Sequence, residues 1–204
     1  MNSRVRRFLA HPAGTGVFWL LVLWPGVGLV VAAALNALGA NPAEALIRST
    51  GDWTLRFLCV TLAVTPLRLM LGWPELARRR RGFGLTTYAY ASLHLFCYAW
   101  LDMGLLWPDL LKDIAKRNFI AVGMLAWVLL SLLAASSFKR VMRWLGGMRW
   151  QRLHRAVHAV ALMGLLHFFW MRSGKQDFAE VAVYALILGS LLAWRVWHAT
   201  RPRR

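Results

Sequence analysis

Long apolar runs separated by short polar connections dominate the chain. A membrane-spanning helix needs about 20 mostly apolar residues. Six runs approach that length, and they cover residues 17–35, 53–71, 84–101, 119–137, 153–171 and 179–197. The longest connections are residues 36–52 and 102–118, which leaves almost nothing for a soluble domain. The pattern predicts an all-α fold, an integral membrane bundle of six transmembrane helices.

The composition favours a membrane protein over a soluble one. Of the 204 residues, 59% are hydrophobic, and the formal net charge is +17. In a soluble protein such a charge would suggest binding to nucleic acid, but here the basic residues cluster between apolar runs, as expected beside a membrane. The expected organisation is a basic tail at residues 1–16, a transmembrane domain at 17–197 with its first span uncleaved, and a second basic tail at 198–204.

The basic residues are distributed unequally between the two sides of the predicted bundle. Eighteen fall on the side of the termini: Arg4, Arg6, Arg7, Arg68, Arg78, Arg79, Arg80, Arg81, Lys139, Arg140, Arg143, Arg149, Arg152, Arg155, Arg195, Arg201, Arg203 and Arg204. Seven fall on the opposite side: Arg48, Arg56, Lys112, Lys116, Arg117, Arg172 and Lys175. Because cytoplasmic loops carry the excess of Lys and Arg, both termini are predicted to be cytoplasmic.

Four of the six histidines lie inside two predicted spans, His94 in the third and His154, His158 and His167 in the fifth. A buried imidazole costs free energy unless a partner satisfies it. The spans carry no carboxylate at membrane depth, whereas a proton or cation pathway ordinarily uses one. Neutral imidazoles without carboxylates favour a buried soft metal, and in a helical bundle the usual example is haem iron. A hydrogen bond to a neighbouring helix remains the alternative for any single histidine.

The depth of each histidine selects a pair of axial ligands. With both spans entered from the cytoplasm, His94 lies ~15 Å deep and His167 ~21 Å deep, whereas His154 lies only ~1.5 Å deep. His94 and His167 are therefore the predicted axial pair. His154 and His167 are about 140° apart on an ideal helix. Presenting both to one neighbour would need a kink or π-bulge, for which Gly164 is a candidate site.

Four segments resemble one family in their order and spacing. They are TPLRLM (65–70), RRRRGFGLTTYAYASLH (78–94), KDIAKRNFIAVG (112–123) and WQRLHRAVHAVALMGLLHFFW (150–170). Together they resemble the haem-binding membrane subunit of the bacterial periplasmic methionine sulfoxide reductase system, the MsrQ or YedZ family of the ferric-reductase-like transmembrane superfamily. The resemblance covers residues 15–195, nearly the whole chain.

The resemblance implies a multi-pass protein of the bacterial inner membrane that binds haem b. It would carry electrons from the cytoplasmic side, or from the quinone pool, to a periplasmic molybdenum-containing subunit. That partner would reduce methionine sulfoxide in oxidised proteins, and the chain itself would be a non-catalytic electron-transfer subunit. Family members are also described as flavoproteins that bind FMN. The family's histidines correspond to His94, His154 and His167, which leaves His158 as a helix-packing residue.

Two departures from the family pattern bear on these expectations. The wider superfamily places two histidines on each of two helices, but the position fourteen residues before His94 is Arg80. One haem is therefore favoured over two, and His154 is the candidate ligand for a second haem or another cofactor. Asn118 stands where the family pattern has a proline, which affects only the expected geometry of that loop.

Arginines near the cytoplasmic ends of the spans are candidate contacts for haem propionates or an FMN phosphate: Arg78, Arg79, Arg80, Arg81 and Arg155. The guanidinium group suits bidentate contact with such oxyanions. The alternative role, setting the topology beside anionic lipid, has at least as much support.

Two other functions remain open. A small His-lined membrane transporter or proton pathway would be colourless, with a flux that depends on pH near the ordinary pKa of imidazole. A non-redox scaffold for a periplasmic enzyme would support its partner without these histidines. The chain contains no GxGxxG motif or P-loop and has no room for a soluble flavin and NADPH domain. A redox function would therefore need an external donor, for which quinol and a flavin reductase remain alternatives.

Overall fold

The computed structural model describes residues 11–174 and 176–200, and within them the chain is helical and contains no strand. The helices are α1 (Pro12–Ala34), α2 (Pro42–Leu71), α3 (Leu76–Cys97), α4 (Trp107–Lys116), α5 (Asn118–Ala135), α6 (Lys139–Leu145), α7 (Gly147–His154), α8 (Val157–Ser173) and α9 (Ala179–Thr200). A π-helical turn, Tyr98–Asp102, directly continues α3. The following basic residues of the charge comparison lie outside the described residues: Arg4, Arg6, Arg7, Lys175, Arg201, Arg203 and Arg204.

Five helical segments are long and apolar enough to cross a membrane: Pro12–Ala34, Pro42–Leu71, Asn118–Ser136, Gly147–Ser173 and Ala179–Thr200. The all-helical prediction is confirmed, but only five of the six predicted spans meet this criterion. The third predicted span falls on α3 and its π-helical turn, where four consecutive arginines occupy the first turns and lower the hydropathy. The third predicted span, the total of six spans and the cytoplasmic termini therefore remain predictions.

Helix α2 begins eleven residues before the predicted start of its span, so most of the expected outer connection at 36–52 is helical. The helix starts there because Asn41 caps it: its side chain accepts a hydrogen bond from the Glu44 N–H at 3.1 Å, and Pro42 occupies the first helical position. At 30 residues α2 is about 45 Å long at 1.5 Å per residue, longer than the ~30 Å hydrocarbon core.

The predicted fifth span is divided into two helices. Helix α7 ends at His154, a turn occupies residues 155–156, and α8 continues from Val157. Helix α8 is uninterrupted through Gly164, so the break between His154 and His167 lies near its beginning and not at that glycine. The other long connection, 102–118, also differs from a loop because it contains the amphipathic helix α4, with Leu110 buried and Trp107 and Leu111 exposed.

The chain divides into two compact units, residues 1–104 and 105–204. In the first unit α2 packs along α3, and a small core of Phe18, Val22, Phe57 and Tyr90 joins α1 to both. The Tyr90 hydroxyl accepts a hydrogen bond from the Gly26 N–H at 2.8 Å and donates one to the Val22 carbonyl at 3.0 Å.

The Tyr90 hydroxyl, which belongs to α3, contacts α1 at the turn that contains Pro25. In an undisturbed helix the N–H of residue 26 would donate to the carbonyl of residue 22. Pro25 lies between them, and a proline ring inside a helix opens the preceding turn. Tyr90 therefore bridges the two backbone groups of an opened turn, and Gly26 leaves room for it, since a Cβ there would lie 3.1 Å from the hydroxyl.

In the second unit α5 and α9 both pack on α8, and α4 packs on α5. Val160, Ala161 and Leu188 are almost completely buried in this unit. Arg172, near the end of α8, forms ion pairs with Asp177 at 3.0 Å and with Glu180 of α9. These pairs link the C-terminal end of α8 to the connection that follows it and to the first turn of α9.

The outward surfaces of both units are apolar. Leu20 and Trp24 of α1 are 71% and 75% exposed, and Leu186 of α9 is 71% exposed. A water-soluble protein rarely leaves contiguous apolar surface of this kind uncovered. Lipid is the solvent that such a surface fits.

Candidate functional site

His94 lies in the last turn of α3 and faces α2. Its Nδ1 atom is 2.8 Å from the carbonyl oxygen of Ile47, the sixth residue of α2. Gly51, one helical turn further along α2, faces the same ring: a Cβ built there would lie 3.1 Å from His94 Cε1 and 3.2 Å from Nδ1. We call Ile47, Gly51 and His94 the first cradle.

His167 has an equivalent environment within the second unit. Its Nδ1 atom is 2.7 Å from the carbonyl oxygen of Phe119, the second residue of α5. A Cβ at Gly123 would lie 2.8 Å from His167 Nδ1 and 3.0 Å from Cε1. We call Phe119, Gly123 and His167 the second cradle.

The carbonyl partner determines the tautomer of each imidazole. A carbonyl oxygen can only accept, so the nitrogen that faces it must carry the proton. Nδ1–H is therefore the donor in both cradles, and in the neutral ring Nε2 carries the lone pair. An imidazole that donates from one nitrogen to a backbone carbonyl and offers the other to a metal is the usual form of a histidine ligand.

The remaining donor set decides which kind of metal group fits. Among residues 11–174 and 176–200, no cluster of three or more His, Cys, Asp or Glu side chains could hold a metal ion. A protein-only zinc or iron site needs three or four such ligands. Haem brings four nitrogen ligands of its own and asks the protein only for one or two axial ones. Single histidines with a fixed tautomer therefore fit haem.

His154 has a different environment from either cradle histidine. It is the last residue of α7 and stacks on Trp150, with ring centroids 4.0 Å apart and an interplanar angle of 33°. The Trp150 indole donates from Nε1 to the Ser136 carbonyl at 3.0 Å, which ties α7 to the end of α5. His158, the second residue of α8, is half-buried.

The four consecutive arginines do not form one cluster of guanidinium groups. Residues on a helix are 100° apart, so four in a row cannot share a face. Arg78 and Arg81 are exposed, whereas Arg79 turns inward and donates to Thr15 Oγ1 at 3.0 Å. Arg155 is exposed in the turn between α7 and α8.

Arg80 also turns inward, where it is half-buried. Burial, and then the positive charge of Arg68, lower the pKa of the Arg80 guanidinium below its usual range.

The comparison with known proteins agrees with the geometry. The sequence model of the family described as "Ferric reductase like transmembrane component" matches residues 50–165. A Polaromonas naphthalenivorans protein called "Protein-methionine-sulfoxide reductase heme-binding subunit MsrQ" is 54% identical over 98% of this chain and 91% of its own length. Proteins of the same description from Ralstonia nicotianae and Herminiimonas arsenicoxydans are 50% and 44% identical, over 91% and 92% of this chain and 86% of each relative.

The chain belongs to the MsrQ family. The resemblance seen in the sequence is thereby confirmed. With its five apolar helices and its match to a transmembrane family, this MsrQ-family chain is a multi-pass membrane protein. No solved structure matches it.

The cradles contain four residues that the sequence did not single out: Ile47, Gly51, Phe119 and Gly123. The hydrogen-bond acceptor in Ile47 and in Phe119 is the backbone carbonyl, which every residue has. The sequence feature that could have indicated the cradles is a glycine inside an apolar helix, which is a common site of close approach between membrane helices. In this MsrQ-family chain the approaching group is an imidazole.

Proposed function

We propose that this chain is the haem-binding electron-transfer subunit of a protein-methionine-sulfoxide reductase. The observation that carries the proposal is the matched geometry of His94 and His167, each donating Nδ1–H to a backbone carbonyl and offering Nε2 for ligation. The names of its relatives support it, since they describe a haem-binding subunit. In this proposal the two histidines are the axial ligands of one haem b, and His154 is the candidate ligand of any second haem.

The protein's own residues hold and insulate the cofactor. Haem, when bound, supplies one-electron redox chemistry that no side chain here could perform. The carbonyls of Ile47 and Phe119 keep both imidazoles in the tautomer that can ligate through Nε2. A low dielectric constant around a redox centre reduces the reorganisation of solvent when its charge changes.

The proposed path of electrons follows from the predicted topology. With both termini cytoplasmic, the chain of the inner membrane would accept electrons from the quinone pool or a cytoplasmic flavin reductase. It would pass them to a periplasmic molybdenum-containing catalytic subunit that repairs oxidised methionine. FMN belongs to this proposal through the family resemblance, and the proposed contacts for its phosphate are Arg78, Arg79, Arg80, Arg81 and Arg155.

The deciding experiment is an absorption spectrum of the full-length protein, purified in detergent and recorded before and after dithionite. The expected result is a low-spin b-type spectrum that sharpens on reduction, with one haem per chain in a pyridine haemochrome assay. A colourless protein from cells well supplied with haem would overturn the proposal, and the histidines would then serve a transport pathway instead.

A further inference from the structure

Each cradle contains a glycine whose position follows from helix geometry. In an α-helix the Cα–Cβ bond tilts towards the N-terminus, so a side chain covers the turn that precedes it. A side chain at position i+4 therefore shields the carbonyl of residue i from a neighbouring helix. Ile47 with Gly51, and Phe119 with Gly123, are both such pairs. The glycine is what exposes the carbonyl to the imidazole.

Each glycine lies so close to the facing imidazole ring that no room remains for a side chain. A methyl group at Gly123 would approach His167 Nδ1 to 2.8 Å, closer than real Cβ atoms come, so the ring would have to move. A methyl group at Gly51 would approach His94 to 3.1 Å, which requires a shift of a few tenths of an ångström. An imidazole is rigid, and such a shift lengthens or breaks its hydrogen bond to the carbonyl.

We propose that Gly51 and Gly123 are positioning residues that set the reduction potential of the haem. The inference rests on the proposed function, because both histidines must be iron ligands for the glycines to act through them. Glycine holds each imidazole against the carbonyl one turn earlier, and the carbonyl then sets the electron density of the ligating nitrogen.

The chemistry gives the direction of the effect. Donation of Nδ1–H to a carbonyl makes the imidazole more basic at Nε2. A more basic ligand stabilises ferric over ferrous iron and lowers the reduction potential. Loss of the hydrogen bond therefore raises the potential, and it also weakens haem binding.

The test compares Gly123→Ala and Gly51→Ala in the full-length, haem-loaded protein. We expect a higher midpoint potential in both variants, in a redox titration followed at the reduced haem band, with the larger shift in Gly123→Ala. Haem affinity should fall by roughly 10- to 100-fold in Gly123→Ala, the range typical of lost outer-shell contacts, and by less in Gly51→Ala.

Two other helical glycines provide matched controls. Gly189 of α9 has no heavy atom within 4 Å of a built Cβ, and Gly84 of α3 has only Thr61 Cγ2 at 3.8 Å. Alanine at these positions makes the same change in helix propensity without touching an imidazole. Gly189→Ala and Gly84→Ala should therefore keep the wild-type potential and haem affinity.

The outcomes separate this inference from the proposed function. A haem-containing wild type whose Gly123→Ala and Gly51→Ala variants keep the wild-type potential would overturn the inference and leave the proposed function standing. Partial haem loss with an unchanged potential in the remaining haem would show a merely structural role and would also overturn it. If Gly123→Ala accumulates without haem, the milder Gly51→Ala decides. A wild type without haem would overturn both proposals.

Discussion

The two cradles hold their imidazoles by the same bond but share their carbonyl oxygens differently. The Ile47 oxygen accepts from His94, and it also lies 3.0 Å from the Thr50 hydroxyl, whose single proton it shares with the Leu46 oxygen at 2.7 Å. The Phe119 oxygen accepts from His167 at 2.7 Å, and the position equivalent to Thr50, three residues after Phe119, is Val122, which has no hydroxyl. A carbonyl has two lone pairs, so a second side-chain donor competes for the same electron density. We therefore expect the hydrogen bond from His94 to be the weaker of the two and the imidazole of His167 to be the more strongly polarised.

Their surroundings differ as well. The first cradle lies in a hairpin braced by a third helix, since Tyr90, one turn before His94, bonds to the opened turn of α1. The second cradle lies at the start of α5, where Phe119 also stands beside the imidazole with ring centroids 5.9 Å apart. The comparison indicates that two histidines in similar cradles can differ in the electron density of their imidazoles. The reason is that the helix that carries the carbonyl also determines which other groups lie near that oxygen.

The largest expected effect tests whether both cradles hold iron. His94→Ala and His167→Ala should each lose nearly all haem, because each removes an axial ligand. Haem per chain, measured by pyridine haemochrome on protein that elutes normally in detergent, is the readout. His154→Ala is the control and should keep the main haem, since its ring stacks on Trp150 outside either cradle.

The haem occupancies of the His94→Ala and His167→Ala variants can combine in several ways, and each combination has its own meaning. Full haem occupancy in both cradle variants would refute the assignment of the ligands. Full occupancy in only one would leave a single ligand and end the equivalence of the two cradles. Loss of a separate haem signal in His154→Ala would establish a second haem.

A smaller effect is expected from removing the Tyr90 hydroxyl, whose hydrogen bonds join α3 to α1. Tyr90→Phe leaves the Gly26 N–H and the Val22 carbonyl without their bridge, at a cost of about 1–3 kcal/mol for an unsatisfied buried group. The free energy of unfolding in detergent should fall by that amount while the haem spectrum stays unchanged.

A double-mutant cycle isolates the cause of this loss. Pro25→Ala allows α1 to close its own turn, so Tyr90→Phe should cost less in that background than in the wild type. Equal costs in the two backgrounds would show that the hydroxyl does not act through the opened turn.

The smallest expected effect tests the sharing of the Ile47 oxygen. Thr50→Val removes the competing hydroxyl, so the bond from His94 should strengthen and the midpoint potential should fall slightly. Thr54→Val is the matched control, because its hydroxyl bonds to the Thr50 carbonyl at 2.8 Å and not to Ile47. A shift of the same size in both variants would count against the proposed competition.

The sequence predicted the helices better than it predicted the cradles. Apolar run length predicts spans because a bilayer imposes it, and histidines are conspicuous in such runs. The beginning of α2 was missed because Asn41 and Pro42 start the helix in a segment with too little hydropathy to be a span. The acceptor for His94 lies in that segment.

The carbonyl residues of the cradles could not be predicted, because they depend on which helices pack against each other. Nothing in residues 47 and 119 differs chemically from other backbone positions until a histidine on another helix faces them. The directions of the arginine side chains at 78–81 could not be predicted from the sequence either. Their side chains are conspicuous in the sequence, but the helical rotation that sends Arg79 inward and Arg78 outward depends on where α3 packs.

The opened turn of α1 also has a consequence for biogenesis. As the first helix enters the membrane, the Gly26 N–H and the Val22 carbonyl meet hydrocarbon, where unsatisfied backbone groups are costly. The hydroxyl that satisfies them is 64 residues further along the chain. Insertion of α1 is therefore completed only after α3 has been synthesised and has docked, so a truncated chain that ends before Tyr90 should be recognised by membrane quality-control proteases.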